Sequence, residues 1–452
     1  MSIAEAVLAR KRDGYRAQAA LAWVNGLGAF VSGDQVFSKC AWRLIPFMLL
    51  LYIVNYLDRV NVGFAALTMN KDLGFSPEIF GFGAGIFFFS YALSQVPFGV
   101  ILERVGAKRA VSAIMLVWGL LSASTALIQS PMSFYAVRFL LGVAEAGFFP
   151  GMLFYLTLWF PHAHRARFTA LFVTGIPLAS IIGGPLSGLI LGMDGLGGLH
   201  GWQWLFLMEG IPAALLAFAV LKYLPDGPAS APFLSIEEKQ TIALRIGADG
   251  TAKEHNLWAA LRDPRVLALG VVGMGNGAAL YGSGVWLPQM IRAAGFSNLE
   301  TGFVVALPYA AAAAAMILWG RSSDRRGERI WHSAIALLIG AAGFAGASIA
   351  HSNLLMVLAL TFAVVGTLSY FGPFFAFPSS FLSGPAAAGG IALVAAMANF
   401  GGFIGPTVIG LIKQRTGGYA DAMLALAAGL TASAVIILVI GFKIAARQVK
   451  LA

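Results

Sequence analysis

Four charged residues stand where a membrane span leaves least room for them. Asp58 and Arg59 interrupt the apolar run "LIPFMLLLYIVNYLDRVNVGFAALTM", and Arg138 and Glu145 interrupt "MSFYAVRFLLGVAEAGFFPGMLFYLTLW". Charges inside hydrocarbon are expensive, so such residues face a water-filled cavity or one another. Arg138 and Glu145 lie two helical turns apart, on one face, with about 10 Å between their backbones. Asp58 and Arg59 are adjacent, about 100° apart around a helix, and must point in different directions. Counted from the span ends, Asp58 lies roughly 21 Å from Leu44, and Arg138 roughly 9 Å from Met132 at the opposite surface. In a core about 30 Å thick this brings the two to a similar level, with Glu145 nearer the middle. A guanidinium fork suits a carboxylate, and a buried carboxylate answers to the balance between desolvation and neighbouring cations. The chemistry on offer is therefore capture of an organic anion together with exchange of protons. The static alternative, salt bridges that only tie two spans together, is a weak source of stability.

The elements that must position these residues follow from composition. The chain has 452 residues, 59% hydrophobic and only 11% charged, whereas a soluble domain carries about a quarter charged residues. Windows of roughly 20 apolar residues, enough for a helix to span a bilayer, fall at 43–64, 78–101, 109–129, 132–158, 166–192, 203–222, 265–291, 300–320, 330–350, 353–378, 385–412 and 420–443. The 54 glycines and runs such as "AAAAAM" and "FGGFIG" suit close packing of membrane helices. With the termini on one side, the opposite side holds only Lys71, Arg292, Lys413 and Arg415 of the 30 Lys and Arg. Arg59 and Arg138 lie within spans and the rest collect on the side of the termini, which predicts that both termini are cytoplasmic. Loops beside anionic headgroups account for the formal net charge of +10 without invoking nucleic acid. The single Cys40 excludes an internal disulfide or a cysteine metal cluster. The first 40 residues lack the apolar core of a signal peptide and read as a cytosolic tail.

Residues 223–264 form the only long polar interior stretch and separate two halves. A short motif recurs in both at a constant offset of 221 residues. "GVILERVGAKR" supplies Gly99, Glu103, Arg104, Gly106, Lys108 and Arg109, and "GRSSDRRGER" supplies Gly320, Asp324, Arg325, Gly327 and Arg329. An acid at a helix end, a tight glycine turn and basic residues can latch neighbouring helices; the plainer reading is a pair of basic loops. The expected fold is an all-α membrane protein with twelve transmembrane helices in two six-helix bundles. The expected organisation is a cytosolic tail over 1–42, bundles over 43–222 and 265–443, a cytosolic linker over 223–264 and a second tail over 444–452.

"GVILERVGAKR" resembles the loop signature of the major facilitator superfamily. "NYLDRVNVGFAALTMNKDLG", "RFLLGVAEAGFFPGMLFYLTLWFP" and "GWQWLFLMEGIP" resemble its anion:cation symporter branch, which includes bacterial permeases for tartrate, galactonate, phthalate and 4-hydroxyphenylacetate. The likeness covers nearly the whole chain from about residue 43. It implies a monomeric transporter of the bacterial inner membrane, with protons and a small organic anion as its partners and no cofactor. It also implies that Asp58 and Glu145 are proton-coupling acids, that Arg59 anchors substrate, and that Arg138 senses the state of the acids. Tyr56, Tyr91 and Asn399 match positions lining the family's cavity.

Asn276 and Tyr281 lie in a glycine-broken seventh span, as gating residues often do. Glu209 reads as structural, and Gln95 as packing or a helix-to-helix hydrogen bond. The tyrosines tilt the substrate towards an aromatic acid, the alternative being a hydroxy acid or sugar acid. The six histidines, at 162, 164, 200, 255, 332 and 351, show no metal-ligand spacing. No phosphate-binding glycine loop or nucleophile elbow is present, so an enzyme is not expected, and neither tail nor linker is large enough for a sensor domain. An uncoupled facilitator or exporter of organic anions with the same fold is the remaining alternative.

Overall fold

Serine and proline punctuation sets the helix starts. Ser76 accepts a hydrogen bond from the backbone N–H of Ile79 ahead of Pro77–Val105 (α2), and Ser130 does the same for Pro131–Glu145 (α4). Ser297 and Glu300 form a capping box for Asn298–Arg326, satisfying donors that the first helical turn leaves orphaned. The structure, a computed structural model, describes residues 3–248, 262–378 and 384–451. Its first half comprises α1 (Ile3–Asp72), α2, α3 (Ala107–Ser124), α4, α5 (Phe148–Trp159), α6 (His162–Val173), α7 (Gly175–Leu191) and α8 (Gly201–Tyr223). The linker holds α9 (Ile236–Ala248). The second half comprises α10 (Pro264–Ala293), α11 (Asn298–Arg326), α12 (Ile330–Ser348), α13 (Asn353–Ser369), α14 (Phe371–Ala376), α15 (Gly384–Thr416) and α16 (Ala420–Leu451).

Eleven segments among the described residues are long and apolar enough to cross a membrane. Helix α2, with 29 residues of which Glu78, Glu103 and Arg104 are the charged ones, completes twelve. The fourth span is α4 followed by α5, the fifth α6 followed by α7, and the tenth α13 followed by α14, so three apolar windows are each broken. The fifth breaks at Thr174, whose hydroxyl donates to the Leu171 carbonyl at 2.6 Å and competes with the helical ladder. The fourth breaks at Gly147, where a methyl group would meet Ile114 at 2.7 Å and Phe98 at 2.8 Å. Helices α1 and α16 run past the apolar windows at 43 and 443. Hydropathy reports where a helix is apolar and says nothing of helix formers such as Ala, Leu and Arg beyond it. The linker packs beneath the first half, with Lys39 bonded to Glu238 at 2.8 Å and the Phe233 ring stacked on Trp159 at 5.9 Å.

The halves meet through α2 against α15, α7 against α11 and α1 against α10. Exchanging the halves maps the first two pairs onto each other and the third onto itself, as a two-fold pseudo-repeat requires. All three crossings are closest at the end of the bundle away from the termini. There a methyl group on Gly81 would stand 2.6 Å from the Pro406 carbonyl oxygen, and one on Gly63 would stand 2.6 Å from that of Val285. Gly184 and Gly302 bring their backbones together in the same way. Only glycine permits such approaches.

Candidate functional site

Helix α1 divides its two charges between different neighbours. Asp58, 1% exposed, faces α3 and accepts hydrogen bonds from Trp118 Nε1 at 2.6 Å, Ser122 Oγ at 2.5 Å and Asn61 Nδ2 at 3.3 Å. Arg59, 6% exposed, faces α4, where its Nε donates to Glu145 Oε2 at 2.9 Å. Asn55, one turn before Arg59, donates to the same carboxylate oxygen at 3.0 Å. The expected divergence of the adjacent charges is thus what the structure has, and each acid has its own partner set.

Two aromatic rings of α2 complete the cluster. The Arg59 guanidinium lies 4.5 Å from the Tyr91 ring centre, and that of Arg138 lies 4.7 Å from the Phe87 ring centre, within cation–π range. Phe87 is also 5.8 Å from Arg59, so one ring serves both guanidinium groups. Arg138 and Glu145 are fully buried. Among the described residues, none of the three Arg138 guanidinium nitrogens has a hydrogen-bond partner, nor do Arg59 Nη2 and Glu145 Oε1. Buried polar groups are normally satisfied. The unmatched guanidinium nitrogens are donors beside a carboxylate already shared between Arg59 and Asn55, an arrangement able to accept a further set of anionic oxygens. Arg138, placed by the sequence as a sensor of the acids, hydrogen-bonds to neither of them.

The other candidates do not share one place. Tyr281 donates to Asn399 Oδ1 at 3.1 Å, and Asn399 Nδ2 donates to Gln95 Oε1 at 3.1 Å, linking α10, α15 and α2 across the two halves. The Tyr281 ring also packs 4.3 Å from Phe88. Tyr56 is buried and its ring lies 6.3 Å from Tyr52. Asn276 stands apart, donating to the Thr367 carbonyl within the second half at 3.3 Å. Glu209 is buried on α8 and accepts from Ser187 of α7 at 3.5 Å, a tie between helices of one half.

Sequence reasoning passed over Asn55, Trp118, Ser122 and Phe87. Trp118 and Ser122 are four residues apart and hence on one face of α3, as are Asn55 and Arg59 on α1. A polar pair at that spacing in an apolar span was the available signal.

The repeated loops differ in detail. Gly106 joins α2 to α3 at φ 86°, and Gly327 closes α11 at φ 63°, conformations that favour glycine. In the second copy Arg329 donates to Asp324 at 2.6 Å and to Ser323 at 2.8 Å, and His332 Nδ1 lies 2.7 Å from Glu328 Oε2. Burial pushes the Glu328 carboxyl up, but hydrogen bonds from His332 and from the Trp331 and His332 backbone outweigh it and hold the group below its usual range. This network stays between α11 and α12. In the first copy Arg104 and Arg109 are exposed and Lys108 is half-buried, while the burial of Gly99 and the side chain of Glu103 lie outside the described residues. Exposed Arg325 and half-buried Gly320 take no part in the second network.

No group of His, Cys, Asp and Glu among the described residues is arranged to hold a metal ion. The sequence pattern of the Major Facilitator Superfamily matches residues 48–406. The chain belongs to the Major Facilitator Superfamily. Its relatives are transporters and not enzymes. It is 47% identical over 409 residues to a protein of Agrobacterium vitis provisionally named a tartrate transporter, covering 90% of this chain and 94% of that one. It is 40% identical over 390 residues to a quinolone resistance transporter of Acinetobacter baumannii, covering 85% and 90%. Among solved structures, a bacterial homologue of the human lysosomal transporter Spinster, in an inward-facing and occupied conformation, superposes with a TM-score of 0.74. That match covers 88% of this chain and 96% of the other at 17% identity, a likeness of fold. As a superfamily member, this all-helical membrane protein is a transporter of organic substrates.

Proposed function

We propose that the protein is a proton-coupled symporter that imports a small organic carboxylate by alternating access. The observation that carries this reading is the shared use of Arg59. Its Nε is bonded to Glu145 at 2.9 Å, so a substrate carboxylate and Glu145 compete for one guanidinium. Protonation of Glu145 removes its charge and frees Arg59, which makes proton uptake and anion capture interdependent. Asp58, held by three donors from α3 and its own helix, is the second proton site. Arg138 supplies a second cation across the Phe87 ring.

Two guanidinium groups flanking one ring suit a dicarboxylate. The name of the Agrobacterium vitis relative favours a hydroxy acid of that kind over the aromatic acid suggested by the tyrosines. With both termini on the cytoplasmic face of the inner membrane, the glycine-packed end is the outer gate. The arrangement is then the one that releases substrate and protons inward. Return to the outward-open form separates the glycine crossings and engages the loops at 99–109 and 320–329.

An exporter or uncoupled facilitator is the second reading, favoured by the quinolone resistance transporter at 40% identity. Proteoliposomes loaded at neutral pH and diluted into acidic buffer with labelled tartrate test both. Accumulation above the external concentration that collapses with a protonophore is expected. Equilibration alone, unaffected by the imposed gradient, would refute proton-coupled import.

A further inference from the structure

Away from the charge cluster, the middle of α1 around Arg43, the start of α3 and the end of α8 line, with the segment after α8, a cavity of about 540 Å³. Its lining comes from the first half and the linker, with no residue of the second half. Three cations line it, Arg43 from α1, Lys108 from α3 and Lys222 from α8, against a single acid, Asp226. None of the three has an ion-pair partner among the described residues. They lean on aromatic rings instead. Arg43 lies 5.4 Å from the Phe233 ring centre and Lys222 lies 5.6 Å from that of Tyr223, which itself packs edge-on against Phe47 at 6.0 Å. Beside the cavity the bundle presents Trp42 at 81% exposure and Tyr223 at 64%.

Unneutralised cations at a span end, flanked by aromatics turned outward, combine two recognition elements. The cations match a phosphate, and aromatic rings at the end of a transmembrane helix settle at headgroup depth. We propose that this cavity binds the phosphodiester headgroup of an anionic phospholipid, with the acyl chains lying along Trp42, Phe47 and Tyr223. Basic pockets between spans on the cytoplasmic side are suited to such headgroups, and the surrounding leaflet supplies them at high local concentration. Because Lys108 also belongs to the first copy of the repeated loop, an occupied site fastens that loop to the foot of α8 and to the linker. A soluble phosphate shares the chemistry of the headgroup but has no use for the aromatic flank.

The test is thermal unfolding of the delipidated protein in detergent, with short-chain phosphatidylglycerol, phosphatidylcholine of the same chain length, or glycerol 1-phosphate. Phosphatidylglycerol should raise the unfolding temperature at micromolar concentration, with the other two inert at that concentration. Arg43→Gln combined with Lys222→Gln should weaken the response about 30-fold, the effect of removing two basic residues from an anionic surface; Arg43→Lys with Lys222→Arg should restore it. Should the glutamine variant fail to fold, native mass spectrometry of the unaltered protein decides, by its preference for phosphatidylglycerol over phosphatidylcholine adducts. An equal response to phosphatidylcholine, an undiminished response in the glutamine variant, or saturation by glycerol 1-phosphate overturns the proposal.

Discussion

Replacing Glu145 by glutamine isolates the competition for Arg59. The amide is nearly isosteric and keeps an oxygen for the guanidinium, so the 2.9 Å contact survives as a hydrogen bond between a charged and a neutral group. Alanine would be a poorer choice, since removing one member of a buried pair destabilises by about 3–5 kcal/mol. Hydrogen bonds to charged groups contribute about 1.5–3 kcal/mol and neutral ones about 0.5–1.5 kcal/mol. The ion pair falls at most from the upper to the lower end of the range for bonds to charged groups, so the variant side chain holds Arg59 less tightly by up to about 1.5 kcal/mol, or about 13-fold. A substrate carboxylate meets a weaker competitor, so its affinity for Glu145→Gln should rise by that factor and lose the improvement at acidic pH that Glu145 supplies. Uphill accumulation in proteoliposomes should disappear, because no proton is taken up at this position, while counterflow exchange of labelled for unlabelled substrate continues. Binding measured by calorimetry at pH 6 and pH 8, set beside the two transport assays, checks each part. Undiminished proton-driven accumulation, or an affinity whose pH dependence matches that of the unaltered protein, would refute the competition.

Three further outcomes are expected. Arg59→Lys keeps the charge but loses the planar fork, so initial uptake should fall at least about tenfold, the equivalent of one charge-assisted hydrogen bond, with little change in thermal stability. Trp118→Phe deprives Asp58 of its 2.6 Å indole donor and should lower stability by about 1.5–3 kcal/mol in detergent unfolding experiments; no change would mean that the bond contributes nothing to the fold. Gly81→Ala places a methyl 2.6 Å from the Pro406 carbonyl oxygen, overpacking that costs about 1–3 kcal/mol and prises apart the end of the bundle remote from the termini. In a Cys40→Ser background, a cysteine introduced at Thr407 should then label faster than in the glycine parent, and equal labelling rates would count against a gate at this crossing.

The spans and the buried charges were legible because each is conspicuous along the chain. A charge in an apolar run needs no partner to be noticed, and a window of about 20 residues is a property of one segment. Partners are another matter. That Asp58 turns to Trp118 and Ser122, while Arg59 turns to Glu145, depends on how α1 is rotated against α3 and α4, which no local pattern encodes. Asn399 and Gln95 are 304 positions apart, and only the packing of α2 on α15 brings them together. The breaks at Gly147 and Thr174 were hidden for the opposite reason: hydropathy averages over them, whereas a hydroxyl bonded to its own helix or a glycine pressed by Phe98 acts at a single residue. Asn276 was singled out by its neighbourhood of glycines, but its partner is a carbonyl inside its own half.

The interruption of the fourth span has a mechanical meaning. Helix α4 ends at Glu145, and α5 begins three residues later and runs for 12 residues, about 18 Å at 1.5 Å per residue. The acid that shares Arg59 therefore sits at the fulcrum of a lever rather than midway along a rigid rod. A tilt of only about 10° at that joint carries the far end of α5 sideways by about 3 Å, a distance set by the same helical rise. Breaking one 2.9 Å contact can thus be amplified into a displacement as large as the contact itself, delivered a full half-membrane away.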